Sequence, residues 1–588
     1  MRVAALVLAP VALLVLLTVS SPGVLPPPPV EPVFDGASAA SLAEQLTAAY
    51  PARVPGTTEA QLASGWYRQT MAGLGLSTEE QVWREAIPGL GVVELRNVVT
   101  VVRGRSASAI VVVASRDNHG PGSPSDNASG TAALLELARS YGALGTGRPP
   151  VPQRTLVLVS TDGGSWGAAG ATHFAERSPY ARDAVAAVVL DRLGRPGRPR
   201  LGVAAGAVAS PARALVSTAV ARVEEHTGSA PELPSALAQL VDLGVPYAAT
   251  EQGPFLTEGI SAVTISTADP GSPSAGSGPA ARRETIGALG RAAEALVGSV
   301  DVTPRRSFGT PDALFLEDRV VSGWALRLLL AAAVAPFAVG VMDLLARGRR
   351  RRLAFRPALR ALRSRLVLGL SGVALLWIGA GLGFLPTGSS LPVPATAIGI
   401  GSWTPAGVLL LALSFCLAWL LARSRLAPVH EVSSDTRLAG YTVALTWLAA
   451  VAVVTAITRP YALVFVVPSL YAWLWLPLQR GHAARVGLYL LGLAGPVTGL
   501  AVFASSLGLG PIAAMAYVAG LITVGYIPLA SVLLAVAWVA AAAQLGALAF
   551  GRYAPYASGQ EPPPPGLVRT AVGRLGRRVV AARQTSAT

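Results

Sequence analysis

From Val320 to Phe550 the chain is built of long apolar runs. A run of about 20 apolar residues with few charges has one stable destination, a helix across a bilayer, because lipid satisfies no backbone hydrogen bond. Such segments occur at about 321–345, 366–386, 404–422, 438–457, 460–478, 485–505 and 527–550. A further run, Val3 to Val19, lies ahead of the prolines Pro26 to Pro29 and reads as a signal anchor or a cleaved signal peptide. With it the expected number of spans is eight. The stretch Pro511 to Tyr526 is apolar but short and bracketed by Gly510 and Pro528, which suggests a re-entrant or interfacial helix. Only 13% of the residues are charged, against roughly a quarter in a soluble domain, so much of the chain belongs in lipid.

The charge is unevenly spread. Residues 35–318 hold 23 Arg against 27 acidic residues, a balance of −4, while the rest holds 24 Arg against 5 acidic residues, or +19. The excess flanks the apolar runs, at Arg347 to Arg365, Arg423 to Arg437, Arg480 to Arg485 and Arg552 to Arg583, and the 387–403 loop has none. That is the positive-inside pattern, with both termini cytoplasmic and residues 35–318 outside, and it excludes a nucleic-acid-binding reading. Cys416 is the single cysteine, so neither a disulfide framework nor a cysteine zinc site exists within one chain.

Within the less apolar half, one stretch organises the rest. Ile110 to Val113 is a β-branched run ending in a Gly/Pro/Ser loop, and a helical period (Ala132, Leu135, Ala138) starts after Asp126 and Asn127. A second strand, Leu156 to Val159, delivers Asp162, Gly163, Gly164 and Ser165 to another helix start. Both polar loops thus lie at the carboxyl ends of strands, the edge where open α/β sheets bind ligands.

These residues resemble the aminopeptidase Y, glutamate carboxypeptidase and transferrin-receptor family of zinc exopeptidases. The family reads His-x-Asp and Gly-Ala-x-Asp-Asn-x-Ser-Gly in the first loop, where this chain has Ser115-Arg116-Asp117 and Ser125-Asp126-Asn127-Ala128-Ser129-Gly130. The second loop, Asp-Gly-Glu-Glu-x-Gly-x-x-Gly in the family, is Asp162-Gly163-Gly164-Ser165-Trp166-Gly167 through Gly170 here. Arg53-Val54-Pro55-Gly56-Thr57 resembles the family's entry segment, and Asp191-Arg192-Leu193-Gly194 its later aspartate-bearing strand end. Glu94 to Gly104 resembles the family's Asn-Val strand and is expected to pair with Ile110 to Val113 as a hairpin. The resemblance implies a mixed-sheet α/β domain with helices on both faces, followed by an all-α bundle of transmembrane helices.

Two zinc ions need several oxygen and imidazole ligands, one bridging carboxylate and a general base. Carried over by the resemblance, the bridging carboxylate falls on Asp126, a terminal one on Asp191 and a supporting one behind the metal on Asp117. The first histidine ligand, however, falls on Ser115, the catalytic base on Gly164 and the next glutamate ligand on Ser165, and no histidine lies between His226 and His430. His119 stands as a candidate replacement ligand, with a solvated loop histidine as the alternative; His173 reads as a helix-face residue. Asp126, with Asn127 and Ser129, also reads as a helix cap. If only side chains are missing, the frame from Asp117 to Asp191 is expected to accept Ser115→His, Gly164→Glu and Ser165→Glu.

The expected organisation is an anchor or signal (1–22), a Pro-rich linker (23–37), an extracytoplasmic peptidase-like domain (38–305), a bundle of about seven helices (320–550) and a basic cytoplasmic tail (551–588). This order resembles that of the peptidase-like subunit of the GPI transamidase. The expected function is ligand or partner binding, or complex assembly, by a catalytically inactive domain. The expected partners are membrane lipid, other membrane proteins, and a peptide or lipid-linked ligand, with no zinc. The alternatives are an active zinc aminopeptidase with a site rebuilt on His119, Asp126 and Asp191, and a membrane scaffold or transport component.

Overall fold

The computed structural model describes residues 11–550 except 14, 124, 143–150, 196, 268–278, 318, 396–412, 422 and 424–432. A seven-stranded mixed sheet forms the centre of the first half, in the order β1-β2-β4-β3-β5-β7-β6. Its strands are β1 (Thr78–Ile87), β2 (Gly91–Val102), β3 (Ser106–Ser115), β4 (Arg154–Thr161), β5 (Ala184–Asp191), β6 (Arg200–Gly202) and β7 (Ser261–Ser266). β4, β3, β5 and β7 run parallel, while β1, β2 and β6 are antiparallel to their neighbours.

The expected hairpin of the Glu94 to Gly104 strand with Ile110 to Val113 does not form. β2 pairs instead with β1, in a register running from Thr78↔Thr100 to Ile87↔Gly91, and β4 is inserted between β2 and β3. β1 is joined to β2 by three residues, a link as short as the one between β2 and β3, so chain proximity does not separate the two pairings. Insertion of β4 leaves β3 flanked by parallel strands, which suits its nearly unbroken apolar sequence.

Alternate side chains of the central strands enter two cores. Ile110, Val112, Leu156, Leu158, Val188, Leu190, Val263 and Ile265 face one, covered by α1 (Gly36–Ala49), α2 (Thr58–Gly73), α3 (Ala128–Arg139), α6 (Arg213–Thr227) and α9 (Pro279–Asp301). Val111, Val113, Val157, Val159 and Val189 face the other, with Phe174 and Phe255, which lie on α4 (Ala169–Arg177) and α8 (Gln252–Thr257). Between these elements in chain order lie α5 (Pro179–Arg182) and α7 (Ala236–Gly244). The segment before α1 packs on this domain: Leu25 and Phe34 are buried, and Glu294 accepts from the Val33 and Phe34 amides.

A ribbon of β8 (Ala313–Leu316) and β9 (Arg319–Ser322) leads into the helical half. Among the described residues, six helical segments are long and apolar enough to cross a membrane: α10 (Gly323–Arg350), α11 (Phe355–Gly381), α12 (Ser434–Thr458), the stretch Pro460–Leu478 containing α13 (Leu463–Leu474), α14 (His482–Ser506) and α16 (Leu529–Phe550). They correspond to six of the seven apolar segments of the bundle. The seventh, at 404–422, the N-terminal run and the 551–588 tail lie largely or wholly outside the described residues. α15 (Pro511–Thr523) has 13 residues, about 20 Å of helix and short of the roughly 30 Å hydrocarbon layer. α10 runs through the basic stretch to Arg350, and α11 begins at Phe355, so of the arginines of this joint only Arg351 and Arg352 lie in the link between the helices.

The two halves are joined by specific contacts. The Asp312 carboxylate pairs with Arg327 of α10 at 2.9 Å and accepts from the Tyr461 hydroxyl. The Ser389 amide donates to the Ala86 carbonyl at 2.7 Å, and Val393 is buried among Ile87, Leu95 and Trp166. The Tyr517 hydroxyl of α15 donates to the Val393 carbonyl and lies 2.8 Å from the Tyr247 hydroxyl. Ser389 and Val393, which follow α11, are thereby held on both the β1–β2 hairpin and α15.

Candidate functional site

Ser115, Thr161, Asp191 and Ser266 end β3, β4, β5 and β7, four adjacent parallel strands, so the polar loops converge on one carboxyl edge as expected. Asn127 fixes the geometry there. Its Oδ1 accepts from Gly130, capping α3, and from the Arg192 amide at 2.6 Å; its Nδ2 donates to Ser115 Oγ and to the Leu190 carbonyl. One side chain thus ties β3, β5 and α3 together. The helix cap belongs to Asn127 rather than Asp126, whose Oδ1 receives the Ala128 amide at 3.0 Å, while Ser129 Oγ accepts from Gly194.

Each carboxylate carried over from the family has a partner within the chain. The fully buried Arg53 guanidinium binds Asp126, and its other donors satisfy the Arg116 and Tyr50 carbonyls. Arg192 grips Asp191 through Nε, at 2.9 and 3.0 Å, and through Nη2, at 2.6 Å. To reach back to its own neighbour, Arg192 adopts φ 50. That left-handed conformation strains a non-glycine residue and is held by Asn127 and by Thr267, which donates to the Arg192 carbonyl at 2.7 Å. Burial opposes the Arg192 charge, but Asp191 outweighs it and raises the guanidinium above its ordinary range.

Asp117 is turned toward the second loop. It accepts from the Gly164 amide at 2.7 Å, the Ser165 amide at 3.0 Å and the Ser165 hydroxyl. Arg116 is buried beside it, bonded to Ser160 and to the Arg96 carbonyl. Burial pushes the Asp162 carboxyl up to about 7, against the Arg116 charge, which lowers it.

His119 is turned toward the second loop. It is half-buried, its ring lies edge-on to Trp166 with centroids 4.9 Å apart, and Nε2 meets the Ser165 carbonyl at 2.7 Å, so this nitrogen carries the proton. Burial lowers its pKa. His173 stacks on Trp83 at 3.9 Å. Among the described residues no three His, Cys, Asp or Glu side chains are gathered so that they could hold a metal ion.

Glu251, just ahead of α8, escapes the sequence reading because it stands alone in an unremarkable Thr-Glu-Gln-Gly segment. It is buried at the centre of the site and accepts from the Thr161 hydroxyl. Burial pushes its carboxyl up to about 8; the Thr161 bond opposes the rise, and the charges of Asp117 and Asp191 add to it. A Cβ on Gly164 would collide with Ser115 Cβ and lie 2.9 Å from Glu251 Oε1. The space for the family's base is therefore filled from another element, and the expectation that the frame can accept a glutamate at Gly164 is corrected. Arg53, Arg116 and Arg192 sit in the motif strings, but charge compensation is a property of their three-dimensional placement.

The residues present do not fit a zinc pair. Asp126 and Asp191 are occupied by guanidiniums, Asp117 by the turn amides, and Ser115 and Ser165 offer neutral hydroxyls already in hydrogen bonds.

Residues 97–275 match the sequence profile described as Peptidase family M28. Human transferrin receptor protein 2 is 37% identical over 84 residues, 14% of this chain and 10% of that protein. Its mouse counterpart is 42% identical over 67 residues, 11% of this chain and 8% of that one. The chain thus matches about a tenth of the length of these curated relatives. Among solved structures, glutaminyl cyclase from Porphyromonas gingivalis superposes with TM-score 0.34 and 16% identity over 45% of this chain and 98% of that one. The zinc aminopeptidase BSAP of Bacillus subtilis superposes with TM-score 0.36 and 13% identity over 49% and 100%. The similarity to Peptidase family M28 thus lies within the α/β domain, which is followed, among the described residues, by six helices long and apolar enough to span a membrane.

Proposed function

We propose that this protein is a membrane-embedded pseudopeptidase, in which an M28-like domain binds a ligand or partner outside the cytoplasm without hydrolysing it. The observation that carries the reading is the pair of ion pairs Arg53–Asp126 and Arg192–Asp191. A zinc ion and an arginine compete for the same carboxylate lone pairs; Arg192 grips Asp191 through two nitrogens with fixed geometry, and Arg53 binds Asp126 through one. Gly164 offers no group to take a proton from water, and Glu251, pushed up to about 8, holds its own proton at neutral pH. The arginines at 347–365 and 480–485 support a cytoplasmic position for those joints and, with it, an α/β domain on the opposite side. The contacts through Asp312, Val393 and Tyr517 support assembly with, and signalling to, the membrane half. A peptide, a lipid-linked molecule and another membrane protein are the proposed classes of partner.

Purified full-length protein in a nonionic detergent, assayed on aminoacyl and dipeptide substrates with added zinc, should show no turnover above a blank. Zinc-dependent turnover abolished by Asp126→Ala would overturn the reading in favour of an active aminopeptidase with a rebuilt site.

A further inference from the structure

Among the described residues at this edge, the arginine pairs leave the Arg195 guanidinium without a carboxylate. Arg195 is fixed beside them by its backbone, whose N–H donates to Thr267 Oγ1 at 3.2 Å, the same hydroxyl that holds Arg192. Its guanidinium reaches the Ser123 carbonyl at 3.4 Å and forms no ion pair among the described residues. Arg192 uses Nε and Nη2 on Asp191, and its remaining Nη1 makes no hydrogen bond among the described residues. This corner is reachable from outside, since the Asp126 and Asp191 side chains retain 18% and 19% of their exposure.

The balance of charge has a consequence for what can bind. Asp126 and Asp191 are each matched by an arginine, and Asp117 is held by the turn amides beside Arg116. Three positions that carry ligands or the base in the resembled family are neutral Ser115, Gly164 and Ser165. Burial and the neighbouring Arg192 charge together lower the Arg195 pKa, while Asp191 and Asp126 oppose the shift. An edge shaped for cations has become one whose unmatched charge is positive. Guanidinium groups bind phosphate oxygens in paired hydrogen bonds, and a phosphate monoester carries about −1.5 to −2 charges at neutral pH, enough to satisfy both neighbouring arginines.

The geometry points to an oxyanion site at Arg195 and the outer edge of Arg192, with a phosphate group as its ligand, either free or borne on a lipid headgroup. This inference rests on the reading that arginines occupy the place of the metals.

The test uses full-length protein in two settings: nonionic detergent titrated with inorganic phosphate at constant ionic strength, and nanodiscs of neutral lipid with or without phosphatidic acid. Thermal unfolding and calorimetric titration report binding, and zinc is measured on the same preparations. Arg195→Ala should weaken phosphate binding about 10-fold or more, the scale of a lost charge-assisted hydrogen bond. Arg195→Lys should weaken it less, and Arg198→Ala, whose side chain is 81% exposed, should leave it unchanged. Stabilisation by inorganic phosphate that depends on Arg195 supports a free phosphate ligand; Arg195-dependent stabilisation seen only with phosphatidic acid supports a lipid headgroup. Absence of an Arg195-dependent effect in both settings would overturn the inference while leaving the pseudopeptidase reading in place. Stoichiometric zinc in the same preparations would overturn that reading instead.

Discussion

Replacing Glu251 with glutamine should remove a steep pH dependence of stability. The carboxyl is buried and pushed up from 4.5 to about 8, so the folded protein keeps this proton over a range in which the unfolded chain releases it. A group of that kind contributes its full stability below about pH 4.5, and the contribution is lost as pH rises toward 8. Each pH unit within that window corresponds to about 1.4 kcal/mol, so between pH 5 and 7 the ceiling is about 3 kcal/mol. Asp162, pushed up to about 7 mainly by burial, adds a change of the same sign, so the informative quantity is the difference between wild type and variant. Glutamine matches the shape, can still accept from Thr161 and has no proton to lose. The assay is the thermal midpoint of full-length protein in detergent, followed by tryptophan fluorescence from pH 5 to 8. Wild type should lose stability across this range more steeply than Glu251→Gln, with the variant the more stable of the two at pH 8. Parallel profiles would refute the assignment of a buried, protonated carboxyl at the centre of the site.

Three further outcomes follow from the same contacts. The triple variant Ser115→His, Gly164→Glu, Ser165→Glu should gain no zinc and should lose about 3 kcal/mol or more, because the new Cβ meets Ser115 and Glu251 and overpacking alone costs about 1–3 kcal/mol; zinc analysis and thermal midpoints check both. Arg53→Ala should destabilise by about 3 kcal/mol, since removing one member of a buried pair strands the other, and Asp126→Asn added to it should restore part of that loss in a double-mutant cycle. In a background with Cys416 replaced by serine, a cysteine at the exposed Ser390 should react with an impermeant reagent on intact cells, and one at Ser586 should not; the reverse pattern would invert the topology.

The sheet and its functional edge were legible because period-two and period-3.6 patterns meet Gly-rich turns at Ser115 to Gly130 and Asp162 to Gly170. Strand neighbours were less so. A three-residue link from Val102 to Ser106 suggests a hairpin, yet β4, some fifty residues on, takes the intervening place, because burial of β3 between parallel strands is decided by the whole sheet. That Gly164 and Ser165 stand where the resembled family carries its base and a glutamate ligand could be read from the motif strings. What replaced them could not: Arg53 lies 73 residues from Asp126, and Glu251 lies 90 from Thr161, and no local pattern links such pairs. Arg192 is adjacent to Asp191, but a neighbouring residue in a strand points the opposite way, and only its left-handed backbone brings the two side chains together. His119 had a local signal, its distance from Asp117, and the backbone of the second loop captured it instead.

The central claim, that guanidiniums stand where the family binds zinc, is tested most directly by the metal content of the full-length protein. After purification without chelators and equilibration with zinc, elemental analysis should give less than one zinc per chain, and Asp126→Ala should leave that value unchanged. One or more zinc ions per chain, lost in Asp126→Ala, would contradict the account.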